Sequence, residues 1–176
     1  MLSFARVRAI AVVALLVIGA AVTVAMALTR SDDAPGLAER CPDGFVRADL
    51  TLPEAHEVQI NVFNGTARAG LANRIGDNFA HRGFEVLEMA DHHSEVDTIA
   101  ELHFGPRAVG SAQVVRAYFL NEAAMVFDIN RDDEMVDVVL GSGFRQLATP
   151  TEVHQAIAAA GNPAPPEGTC PADPDN

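Results

Sequence analysis

The chain changes its hydrophobic period several times, and each change marks an element. Val58, Ile60 and Val62 are apolar while Gln59 and Asn61 between them are polar, so residues 57–64 predict a strand with one buried face, its second face thickened by Phe63. Asn64-Gly65-Thr66 closes that strand with turn chemistry. The spacing then becomes helical: Leu71, Ala72, Ile75 and Phe79 form one stripe within residues 69–82, and Gly83 is the natural stop. Residues 84–89 predict a second strand, and residues 90–96 a polar, solvated connection carrying His92 and His93. The grammar repeats. A strand over 97–104 places Ile99, Leu102 and Phe104 inward, Gly105-Pro106 opens a helix over 107–120 with Val109, Ala112, Val115 and Phe119 inward, and residues 123–129 form a strand. A polar turn at 130–133 leads to a strand over 135–140 that ends at Gly141-Ser142-Gly143. Thr149-Pro150-Thr151-Glu152 is a capping box that starts a last helix, stopped by Gly161.

The order is β-α-β, β-α-β, β, α. It predicts an α/β (α+β) domain over residues 57–160: a small mixed sheet covered by helices, arranged as a split βαβ pattern with an added strand. Strand order is not readable from this pattern. Residues 29–56 read as an extracytoplasmic arm, and residues 161–176, rich in proline, as a tail that cannot form a helix or a central strand.

Residues 9–28 are twenty positions without a charge. At about 1.5 Å per residue they span roughly 30 Å, the hydrocarbon thickness of a bilayer. Arg6 and Arg8 precede them, whereas Arg30 is offset at once by Asp32 and Asp33. That bias predicts a transmembrane helix with a short cytoplasmic end over residues 1–8 and the domain outside the cell membrane. Ala25-Met26-Ala27 also fits a signal-peptide cleavage site, so anchor and cleaved leader both stay open; each exports residues 31–176.

Charge narrows the partners. All twelve basic residues are Arg; nine of them and all 24 acidic residues lie beyond position 30, giving residues 31–176 a formal charge of 9 − 24 = −15. Nucleic acid needs a basic face, and this segment has the reverse balance. The two cysteines, Cys41 and Cys170, bracket the domain; in an exported chain they predict a disulfide, worth about 4–5 kcal/mol by chain entropy for so long a loop.

Candidate chemistry is sparse. Asn64-Gly65-Thr66, between a strand and a helix, stands where phosphate loops occur, yet the chain has no P-loop lysine and no GxGxxG there. Asp91-His92-His93 lacks metal-ligand spacing, Asp132-Asp133-Glu134 does not follow the calcium-loop template, and Ser142 lacks a nucleophile-elbow context. The reading is therefore no enzyme, no cofactor and no metal. For ligand binding, the exposed amides and hydroxyl of Asn61, Asn64 and Thr66, with Gly65 and Gly70 beside them, are the candidates.

Three blocks carry a family resemblance. The segment VQINVFNGTARAGLA beginning at Val58, the RGFEV run at Arg82 and the VVLGSGF run at Val138 resemble the LytR C-terminal domain family in order and spacing, although Ala67 and Ala69 stand where that family often has Gly and Pro. The resemblance implies a domain found on glycopolymer ligases and also alone behind one transmembrane helix in actinobacterial envelope integrity proteins. It implies a role in maintaining the cell envelope, with cell-wall glycan or other envelope proteins as partners. No catalytic residues come with it.

Overall fold

The computed structural model describes residues 41–172. The strands are β1 Val46–Ala48, β2 Gln59–Asn64, β3 Glu85–Asp91, β4 Ala100–Phe104, β5 Ala124–Phe127, β6 Val136–Leu140 and β7 Thr169–Pro171. Helices occupy the helical stripes: α1 Leu71–His81, α2 Val109–Ala117 and α3 Pro150–Ala160. Short 3-10 turns at Ala55–Glu57 and Pro106–Ala108 lead into β2 and α2.

Five strands form one mixed sheet in the order β3-β2-β6-β4-β5. β2 runs parallel to both β3 and β6, β4 runs antiparallel to β6, and β5 runs parallel to β4. Each βαβ unit is thus unsplit, its two strands direct neighbours, and β6 is inserted between the units, which point in opposite directions. The sequence reading of a split pattern is corrected here: β2 pairs directly with β3 and β4 with β5, so no strand lies between the two members of either unit.

Register separates the two faces. Ile60 pairs with Val136, Val62 with Val138, Leu102 with Val138 and Ala100 with Leu140, and all of these are fully buried. They pack with Leu71, Ile75 and Phe79 of α1 and Val109, Ala112 and Val115 of α2 in one apolar core. Phe79 meets Phe84 edge-on at 5.1 Å, and Phe84 meets Tyr118 at 5.0 Å. A smaller cluster, Ala117, Ala148, Val153 and Ala156, seats α3 against the end of α2.

Several boundaries differ from the sequence reading, three of them with consequences for the fold. The third strand starts at Ala100, and Ile99 before it is only partly buried, because Ala100, Leu102 and Phe104 hold the inward phase. β3 runs on to Asp91, with one extra residue, Leu87, between the Ile60–Val86 and Asn61–Glu88 pairs. The segments read as arm and tail are not free: β1 and β7 pair in parallel as a two-stranded sheet, with Arg47 opposite Cys170. β7 is a strand at an edge, the one sheet position its proline tolerates. Cys41 and Cys170 are bridged with their Cα atoms 5.7 Å apart, so the clasp is also covalent.

Among the described residues no helix is long and apolar enough to cross a membrane. The segment expected to do so, residues 9–28, lies outside them.

Candidate functional site

The NGT loop is tied up in the fold. Asn64 is 4% exposed; its Nδ2 donates to the Arg68 carbonyl at 3.0 Å and to Asp91 Oδ1 at 3.0 Å, and its Oδ1 accepts from Thr66 N–H at 3.2 Å and Thr66 Oγ–H at 2.7 Å. Thr66 Oγ in turn accepts from Arg68 N–H, and the Arg68 guanidinium reaches the Phe144 carbonyl at 2.9 Å. Gly65 donates to the Leu140 carbonyl at 2.9 Å and is packed so closely that a Cβ there would sit 2.9 Å from that oxygen. Gly70 lies exposed at the start of α1 with φ of 68°, a left-handed conformation that suits glycine. The polar side chains of Asn64 and Thr66 and the N–H of Gly65, candidates for ligand binding, thus all make hydrogen bonds within the fold. A strand end with three unmet donors recruits its own neighbours first.

Arg82-Gly83-Phe84 has a similar structural use. Arg82 donates to the Ala148 carbonyl at 2.6 Å and lies 5.5 Å from the centre of the Tyr118 ring, Gly83 takes φ of 99°, and Phe84 enters the core.

Asn61 lies on the opposite face of β2 from Asn64, because strand side chains alternate. Among the described residues no helix packs over this second face. β2 gives it Asn61 and Phe63; the register adds Asp137 and Val139 from β6 and Glu101 and His103 from β4. Asn61 Nδ2 donates to Asp137 Oδ1 at 2.8 Å, while Arg131 donates to Asp137 Oδ2 at 2.7 Å and to the His103 carbonyl at 3.2 Å. Arg131 also holds both oxygens of Asp133 at 2.9 Å. Burial alone works against its charge, but the hydrogen bonds and negative charges of Asp137 and Asp133 outweigh it and raise its pKa above the ordinary arginine value. The guanidinium is a fixed cation that locks Asp137 and the β4 backbone in place.

The loop after β3 folds over the same face. His92 is anchored through its N–H to the Asn64 carbonyl at 2.9 Å, and the His92 and His93 rings stand 4.2 Å apart. With Phe63, Asp91, His103, Asp137 and Val139 they line a shallow cavity of about 270 Å³. His103 Nε2 lies 3.1 Å from Glu101 Oε2 at its side. The connection read as solvated is thus partly a wall. Both candidate asparagines act on this cavity at one remove, Asn61 by holding Asp137 and Asn64 by holding Asp91. Sequence reasoning did not single out Phe63, His103 or Asp137 and weighed the two loop histidines only as metal ligands, since only cross-strand register brings these residues together. Among the described residues no group of three or more His, Cys, Asp or Glu has a metal-holding arrangement.

The sheet thus carries aromatic rings and fixed polar groups on the face away from α1 and α2. The comparisons place it. The family model described as LytR cell envelope-related transcriptional attenuator matches residues 57–144, half of the chain, and the chain belongs to the LytR C-terminal domain family. The fold is also similar to the crystal structure of the soluble domain of a conserved hypothetical secreted protein, an Rv2700 ortholog, from Mycobacterium marinum. That match has a TM-score of 0.52 and 23% identity and covers 73% of this chain and 83% of that one. No curated protein matches the chain. The family and the disulfide mark residues 41–172 as an extracytoplasmic, envelope-associated domain.

Proposed function

We propose that this chain is a non-enzymatic envelope module that binds cell-wall glycan on the open face of its sheet, with residues 9–28 anchoring it to the cell membrane and the domain outside. The observation that carries the reading is the cavity beneath the His92–His93 pair. A sugar offers a ring face with C–H groups and an edge of hydroxyls. Phe63 and the imidazoles supply flat apolar surface, and Asp91, Asp137 and His103 supply acceptors and donors around it. Arg131 and Asn61 keep Asp137 from turning away, so the polar groups are positioned before a ligand arrives.

The test is retention of the full chain on purified glycan strands stripped of their peptides, at low and high salt. Saturable, salt-resistant binding that falls at least about tenfold in a Phe63→Ala/His103→Ala variant supports the reading. Equal retention of parent and variant, or none by either, defeats it.

A protein-adaptor reading has an observation of its own. The outer edge strand β3 exposes Leu87 (50%) and Met89 (40%), and an unpaired apolar edge can accept a strand from another protein. Capture of an envelope protein lost on Leu87→Lys, with glycan binding absent, would favour it.

A further inference from the structure

A larger cavity lies elsewhere, between the β1–β7 clasp and the β5–β6 loop. It measures about 720 Å³ and is lined by Asp49, Leu50, Arg107, Ile129, Asp132 and Glu134, among others. A second hollow of about 320 Å³ shares Asp49, Thr51, Arg107 and Glu134 with it and continues past Pro53 to Ser111. The two make one elongated groove, within the size range of sites that hold small ligands.

Its charge is unlike that of the rest of the chain. Residues 31–176 hold 24 acids against nine arginines, yet the larger cavity is lined by three of each: Arg47, Arg107 and Arg131 against Asp49, Asp132 and Glu134. A purely anionic ligand would meet three carboxylates there, and a purely cationic one the exposed guanidinium of Arg107. The apolar walls, Leu50, Ile129 and Pro106, suit neither ion alone. We infer that this groove is a second binding site, for a short extended peptide that carries both a carboxylate and an ammonium group.

The Arg107–Glu134 ion pair is the receptor for those two charges. It crosses the boundary between the hollows, and its side chains are 60% and 61% exposed. An exposed pair is held only weakly, because water screens it, so it exchanges partners readily with a ligand that offers one ion to each side. The wall beside it is fixed. Asp49 donates its N–H to the Pro106 carbonyl at 2.9 Å, its carbonyl accepts from Gly110 N–H at 3.0 Å, and its Oδ1 accepts from Thr51 N–H at 2.9 Å. Arg107 also donates to the Asp132 carbonyl at 3.2 Å, which steadies its stem. The site is separate from the glycan face: Arg131 lines the groove with its body but spends its guanidinium on Asp133, Asp137 and the His103 carbonyl.

The experiment titrates the full chain, disulfide formed, with acetyl-Ala-Glu-Lys-amide and with acetyl-Ala-Lys-Glu-amide, following backbone amide shifts by NMR. Controls are the charge-stripped acetyl-Ala-Gln-Met-amide and singly charged peptides. Saturable shifts at Asp49, Arg107, Ile129 and Glu134 with at least one zwitterionic order are expected, weakened about tenfold or more by Arg107→Gln and by removing either ligand charge. Both substituted side chains are exposed, so Arg107→Gln and Glu134→Gln leave the fold intact, which the remaining spectrum checks. Equal binding of the charge-stripped peptide, tighter binding of a singly charged one, or no saturable shift overturns the inference. Peptide-free glycan binding is measured on the same variants. It is unchanged by Arg107→Gln, and its loss in Phe63→Ala/His103→Ala leaves peptide binding untouched, so the two sites fail independently.

Discussion

The two faces of the five-stranded sheet are made by alternate residues of the same strands, yet they follow different rules. On the helix-covered face, Ile60, Val62, Leu102, Val136 and Val138 are wholly buried and carry no polar atom beyond the backbone. On the open face, Asn61, His103 and Asp137 stand beside those residues in sequence and join in a network fixed by Arg131. The first face obtains its order from close packing, which is non-directional. The second obtains it from hydrogen bonds, which fix where each polar atom points. Only the second kind of order leaves groups at the surface in a defined arrangement for a ligand.

Neighbouring residues of β4 test this directly. Leu102→Ala opens a cavity in the core and is expected to cost about 2–5 kcal/mol, seen as a lower urea midpoint with the same slope. His103→Ala, one position on, is expected to shift stability by no more than about 0.5 kcal/mol while reducing glycan retention. Similar stability losses from both would break the division between faces. Gly65→Ala comes next in size. Its Cβ would press on the Leu140 carbonyl and on Val96, at an expected cost of about 1–3 kcal/mol. Glycan binding per folded molecule stays the same, because the NGT loop serves the scaffold; a binding loss without a stability loss would return that loop to the ligand site.

Most of the helix-covered face was legible in the sequence. Leu71, Ile75 and Phe79, or Val109, Ala112 and Val115, announce a buried stripe because burial demands apolar side chains at helical spacing. Cys41 and Cys170 likewise announced their bridge. The open face was not legible. Asn61 meets Asp137, 76 positions away, only because β6 slots between β2 and β4, and nothing in either strand encodes that insertion. The loop histidines were hidden for the same reason: adjacent histidines mean little until a sheet face lies beneath them. The arm and tail misled because three-residue strands such as β1 and β7 are too short to show a period.

The smallest expected effect concerns the helical layer alone. Glu152, at the start of α3, accepts hydrogen bonds from the backbone N–H of Thr149 at 2.7 Å and from its hydroxyl at 2.7 Å. These bonds favour the charged form, the backbone one most, and hold its pKa below the ordinary 4.5. A depressed folded-state pKa means that the unfolded chain takes up the proton first as pH falls. The stability Glu152 provides is therefore fully present above its unfolded pKa and is lost as pH drops through the lower, folded value. Glu152→Gln is expected to have a lower urea midpoint than the parent near pH 7, with the gap closing as the pH falls through and below the ordinary carboxylate range. Because α3 rests on the α2 side of the molecule through Val153 and Ala156, this variant leaves glycan retention at neutral pH unchanged. A gap that stays constant with pH would mean that the carboxylate's charge does not cap the helix. A drop in glycan retention would mean that the helix layer and the open face are coupled through the sheet, and that two faces built by different rules still act as one body.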